Sequence, residues 1–159
     1  MEKLAARTGK RLKASRAMLV TAESCTGGWV AQAVTAVAGS SDWFERGFVA
    51  YSNAAKREAL GVRADTLARH GAVSEQTARE MASGALRKSK GSVSLAVTGI
   101  AGPGGGTPAK PVGTVCFAWE RKSGRRHSET RRFAGNRESV RKQSVIHALK
   151  GVLKLLDED

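Results

Sequence analysis

The chain has 159 residues, of which 41% are hydrophobic and 26% charged, an ordinary globular composition that excludes wholesale disorder. No apolar run approaches the roughly 20 residues needed to cross a bilayer, and Met1-Glu2-Lys3-Leu4 lacks the charged-then-apolar order of a secretory leader. A single cytoplasmic domain spanning residues 1–159 is therefore expected. The formal net charge of +13 suits small anionic substrates, nucleic acid or solubility alone, but the basic residues are scattered and dense only over 121–126, aromatics make up 5%, and no nucleic-acid-binding motif is present.

Residues 4–15 read as a weakly amphipathic helix and 18–22 as a short buried strand. A tight polar loop, Glu23-Ser24-Cys25-Thr26-Gly27-Gly28, leads into a helix over 29–37. Gly39-Ser40-Ser41-Asp42 breaks the pattern, and a second strand is predicted over 47–52. Asn53 is placed as the N-cap of a short helix over 54–60, and Ser74 as the cap of a helix burying Ala78, Met81, Ala82, Ala85 and Leu86. Residues 93–98 read as a buried strand ending in a glycine-rich loop over 99–113. Residues 112–119 and 127–133 form a predicted hairpin across the basic turn. A last helix starts near Arg137. Alternating elements closed by a hairpin indicate a three-layer α/β/α sandwich with a mixed, mostly parallel sheet.

Ligands in open α/β sheets bind beyond the C-terminal ends of the strands. Three polar loops follow predicted strands here: 23–28, 52–56 and 98–106. Ser24 sits where a strand becomes a helix, so its hydroxyl can meet backbone N–H donors suited to a phosphate or an oxyanion. It can equally be a helix cap. Cys25 is the rival nucleophile, yet none of His70 (in a loop), His127 (in the basic hairpin) or His147 (on the last helix) is obviously placed to serve it. Lys56, in a first helical turn, is a candidate base, because the helix dipole and burial would both lower its pKa. Cys25 and Cys116 form no CxxC pair and have no histidine at zinc-ligand spacing, so free thiols in a reducing compartment are expected. The loop 98–107 lacks the Gly-Lys-Ser/Thr ending of a P-loop.

Taken together, several stretches resemble the C-terminal domain of the competence/damage-inducible protein CinA, a family that also occurs as a stand-alone nicotinamide-nucleotide amidase. They are Ala22 through Gly28, Gly39-Ser40-Ser41, Val49-Ala50-Tyr51-Ser52-Asn53 with Lys56, His70 through Ser74, Val97 through Thr107, and Pro111 through Thr114, in the family's order. The resemblance implies hydrolysis of nicotinamide mononucleotide to nicotinic acid mononucleotide and ammonia in pyridine-nucleotide recycling. It implies a serine–lysine pair, Ser24 and Lys56, working without metal or cofactor. Ser41, Tyr51 and Thr98 fall on the family's other substrate-binding or oxyanion positions. Its arginine after the last strand corresponds best to Arg137, with Arg141 one turn away. In this reading Lys56 deprotonates Ser24, Ser41 or loop amides hold the oxyanion, Tyr51 stacks on the pyridine ring and Arg137 takes the phosphate. Longer members carry an N-terminal domain resembling molybdopterin-binding proteins that has no counterpart here, so its functions are not expected. The small-molecule substrate is expected to be nicotinamide mononucleotide, with no nucleic acid required, no membrane, and a homo-oligomeric enzyme. The alternatives are a non-catalytic nucleotide-binding module and a basic DNA-associated protein with a steep salt dependence.

Overall fold

In the computed structural model, which describes residues 1–158, period-two alternation decides which face of the sheet each strand residue meets. Val93, Leu95 and Val97, with Val115, Phe117 and Trp119, enter one hydrophobic core, while Ala96, Cys116 and Ala118 enter the other. The strands β1 (Leu19–Glu23), β2 (Phe44–Val49), β3 (Val93–Gly99), β4 (Thr114–Arg121) and β5 (Arg126–Arg132) form one sheet in the order β2-β1-β3-β4-β5. The β1 strand pairs parallel with β2 and β3, and β4 is antiparallel to both of its neighbours, so only β4 runs against the rest.

On one face lie α1 (Glu2–Ala14), α2 (Trp29–Thr35) and α6 (Arg137–Asp157), which contribute Leu12, Val30 and Leu149 to the larger core. On the other lie α3 (Asn53–Leu60), α4 (Ala64–His70) and α5 (Glu75–Arg87), with Leu60 and Met81 in the second core. The expected three-layer sandwich is present. No helix among the described residues is long and apolar enough to cross a membrane.

Several element boundaries differ from expectation. The second strand covers Phe44–Val49 rather than 47–52. It is an edge strand whose second and third residues, Glu45 and Arg46, are charged and paired with each other, which hides the strand's start from an apolar-run reading. The cap of α3 is Ser52, whose Oγ accepts from the Ala55 amide at 3.0 Å, and Asn53 is the first helical residue. The helix α4 was not expected, and His70 is its last residue rather than part of a loop. Its first turn is held from a distance: Glu80 of α5 accepts from the Arg63 amide at 2.9 Å and from the Thr66 hydroxyl. Ser74 caps α5 as expected, accepting from the Thr77 amide at 3.1 Å.

Candidate active site

The parallel strands β2, β1 and β3 all end at one edge of the sheet, and the loops that follow them meet there. The first loop is held by a buried carboxylate at its start. Glu23, fully buried, accepts from the Thr26 hydroxyl at 2.7 Å and from the Val30 and Ala31 amides at 2.8 and 3.1 Å. It therefore neutralises the first-turn donors of α2. The Ser24 amide is tied across the sheet to the Val97 carbonyl at 2.9 Å. Gly27 and Gly28 take left-handed conformations, φ +58° and +99°, that turn the loop into α2.

From the opposite layer, α3 delivers Lys56. Its side chain is 1% exposed, and its Nζ lies 3.1 Å from Ser24 Oγ and 2.9 Å from the Tyr51 carbonyl oxygen. Burial holds the ammonium pKa below the ordinary lysine value, against a smaller opposing effect of the Cys25 thiol. Ser24 itself is 6% exposed. This is the contact a hydroxyl nucleophile and an amine base require.

Cys25 has the opposite character. Burial pushes its thiol up to about 12, so it carries no thiolate at neutral pH. None of the three histidines lines this cleft. His127 stacks on Trp119 with ring centroids 5.7 Å apart, and His147 pairs with Glu129 at 2.6 Å on the other side of the sheet.

The cleft has a volume of about 260 Å³ and is lined by Ser24, Tyr51, Lys56, Thr98 and Arg137 together with the glycine-rich loop. Thr98 is 1% exposed, and its hydroxyl donates to the Ala72 carbonyl at 2.8 Å, so it fixes the 71–74 segment as one wall. Tyr51 stands at the rim, 63% exposed. Arg137 reaches from the start of α6, with Nη1 bonded to the Gly102 carbonyl at 2.8 Å. Arg141 is committed elsewhere: it donates to the carbonyls of Cys25 and Thr26 at 3.0 and 3.2 Å and lies over the Trp29 ring at 5.4 Å. It braces the Ser24 loop from behind and leaves Arg137 as the arginine facing the cleft.

Ser41 is not brought to this cleft within its own chain. It sits in a single 3-10 turn, Ser40–Asp42, that precedes β2, and it is exposed. Phe44 pairs with Leu19 at the start of β1, whereas Ser24 follows its end, so roughly 13 Å of strand separates the two levels.

Two contributors escaped the motif reading. Asn53 lines the cleft from the first turn of α3 instead of capping it, and Glu23 organises the loop from beneath. A charged residue closing an otherwise apolar strand is the signal that points to Glu23. No cluster of His, Cys, Asp and Glu among the described residues is suited to hold a metal ion.

The profile of the CinA C-terminal domain matches residues 1–156. A nicotinamide-nucleotide amidohydrolase PncC of Escherichia coli strain K12 is 52% identical over 147 residues, covering 92% of this chain and 89% of that protein. The protein of the same name from Pseudomonas putida is 52% identical, covering 96% and 94%. The crystal structure of the competence/damage inducible protein CihA from Agrobacterium tumefaciens superposes with a TM-score of 0.95 at 46% identity, over 97% of this chain and 94% of that one. In sequence and in fold, the chain belongs to the CinA C-terminal domain family.

Proposed function

We propose that this chain, as one domain over residues 1–159, is a cytoplasmic nicotinamide-nucleotide amidase. It hydrolyses the carboxamide of nicotinamide mononucleotide to give nicotinic acid mononucleotide and ammonia, and thereby serves pyridine-nucleotide recycling. The carrying observation is the 3.1 Å contact between Ser24 Oγ and a buried lysine whose pKa is lowered by desolvation. The names of the relatives in Escherichia coli and Pseudomonas putida support the same substrate.

In the reacting state Lys56 is neutral. One of its N–H groups stays on the Tyr51 carbonyl, and its lone pair accepts the Ser24 proton across the same short contact. Ser24 Oγ attacks the carboxamide carbon. The Cys25 amide, which follows Ser24 in the cleft lining and has no backbone acceptor among the described residues, is the donor for the oxyanion. The Lys56 ammonium then protonates the departing amine, which leaves as ammonia, and an ester to Ser24 remains. Water, deprotonated by the regenerated neutral lysine, attacks that ester, and the proton returns to Ser24 as the acid is released. Tyr51 offers its ring to the pyridinium face, and Arg137 offers a guanidinium to the phosphate.

The test is ammonia release from nicotinamide mononucleotide by the purified protein beside Ser24→Ala, with binding measured for both. Release by the wild type alone, with binding retained in Ser24→Ala within a few-fold, supports the assignment. Binding by both proteins with release by neither would make the chain a binding module.

A further inference from the structure

A second cavity, larger than the catalytic cleft, adjoins it. It lies between α4, the start of α5, the distal part of the glycine-rich loop and the outer strand β5, and its volume is about 690 Å³. Four cationic side chains from four different elements face it: Arg69, which pairs with Asp65 at 3.0 Å, Arg79, Lys110 and Arg132; Arg131, the neighbour of Arg132 on β5, points to the opposite face of the sheet and pairs with Glu129 at 3.4 Å. The acidic residue in its wall, Glu75, is already engaged, accepting from the Ser128 and Thr130 hydroxyls at 2.8 and 2.9 Å and pairing with Arg79 at 3.6 Å. Lys110 is positioned by a 2.7 Å bond from its Nζ to the His70 carbonyl, and Arg132 makes no ion pair among the described residues. The start of α5, capped by Ser74, opens into the same space and adds the positive end of a 13-residue helix.

We propose that this cavity is a second binding site, for a small oligoanion carrying two or three phosphate groups. Three guanidiniums around one concavity, those of Arg69, Arg79 and Arg132, match phosphate oxygens through paired N–H donors, which a single lysine point charge does not. The volume falls in the range of small-molecule sites, and the cations converge on a hollow rather than tracking along a flat face as a polynucleotide backbone requires. The proposed catalytic chemistry leaves this surplus of charge unused, because Ser24, Lys56, Tyr51, Thr98 and Arg137 all lie in the neighbouring cleft. The two spaces share Val73, and the Ala72 carbonyl beside it holds Thr98, so an occupant of the larger cavity rests against a wall of the smaller one.

Calorimetric titration of the whole chain with inorganic tripolyphosphate tests the site directly and without reference to turnover. The variants are the charge-reversed double variant Arg69→Glu/Arg132→Glu and the catalytic-cleft variant Arg137→Met, with thermal melts showing that both are folded. Both reversed residues are exposed and on different elements. One tripolyphosphate is expected to bind the wild type and Arg137→Met alike, and the double variant is expected to lose about tenfold or more in affinity. The inference is overturned by equal affinity in the double variant, by loss confined to Arg137→Met, by no binding at millimolar tripolyphosphate, or by binding of a 20-base-pair duplex where tripolyphosphate fails.

Discussion

Lys56 and Glu23 are the charged side chains that the fold buries, and they face different problems. Glu23 is compensated by three donors, whereas Lys56 has one carbonyl and one hydroxyl oxygen. The cost of burying Lys56 appears as its lowered pKa. Between that lowered value and the ordinary 10.5, the unfolded chain binds more protons than the native one, so stability rises with pH across this window. Below it both states are protonated and the full penalty is present. Lys56→Met is therefore expected to melt higher than the wild type at neutral pH, by roughly 0.5–2 kcal/mol in stability. That gain should shrink as pH rises toward 10.5, while activity is abolished. Melting curves of both proteins across pH check this; a lower-melting variant at neutral pH would show that the two hydrogen bonds of Lys56 outweigh its desolvation. The same ionisation sets the acid limb of kcat/KM, which should fall as pH drops through the lowered lysine pKa. Cys25, with its thiol pushed up to about 12 by burial, should be dispensable. Cys25→Ala is expected to keep kcat/KM within about threefold, and iodoacetamide should leave the native enzyme active; loss of activity in either assay would reinstate the thiol as a participant.

The helix α6 carries two arginines one turn apart whose roles diverge because their partners do. Arg141 grips the carbonyls of Cys25 and Thr26, so Arg141→Met should loosen the nucleophile loop and lower kcat about 10- to 100-fold with KM little changed. Arg137 faces the cleft, so Arg137→Met should raise KM about tenfold and spare kcat. Steady-state kinetics on nicotinamide mononucleotide separate the two, and a KM effect at Arg141 would exchange the assignments. That distinction was not legible in the sequence, where both arginines sit near the start of one helix at matching spacing. What was legible were elements carrying their own local signal: Ser74 before the apolar face of α5, the buried run of β3, and the strand-loop-helix unit around Ser24. Elements stabilised from far away were not. The first turn of α4 depends on Glu80 of α5, and no local cap announces it. The β2 strand begins at the polar edge of the sheet. At α3 two good capping residues stand side by side, Ser52 and Asn53, and only geometry chooses between them. Tyr51, Thr98 and Arg137 reach one cleft because β2, β1 and β3 end together, whereas Ser41 lies before β2 and is left at the far end.

At the scale of the whole molecule, the catalytic pair spans two layers. Ser24 belongs to the loop that leaves the sheet and Lys56 to a helix that rests on another helix, so their contact depends on how closely α3 approaches α5. That approach passes through Gly84: a Cβ built there would lie 1.8 Å from the Leu60 carbonyl oxygen and 2.7 Å from its carbon. Leu60 ends α3, one turn beyond Lys56, and no side-chain rotation can relieve a clash with its backbone. Gly84→Ala is expected to cost about 1–3 kcal/mol by overpacking and, because the shift is transmitted to Lys56, to lower kcat in the fraction that remains folded. Gly151 offers the matched control on the opposite face. A Cβ there would lie 2.0 Å from the Trp119 ring, so Gly151→Ala should destabilise to a similar degree. It lies ten residues from Arg141 along α6, about 15 Å of helix, and should leave kcat per folded molecule within a few-fold. Thermal melts and active-site-normalised rates on both variants distinguish the cases. Equal loss of kcat in the two would mean that turnover tracks global stability, and only a selective loss in Gly84→Ala ties the geometry of the serine–lysine contact to the α3–α5 crossing.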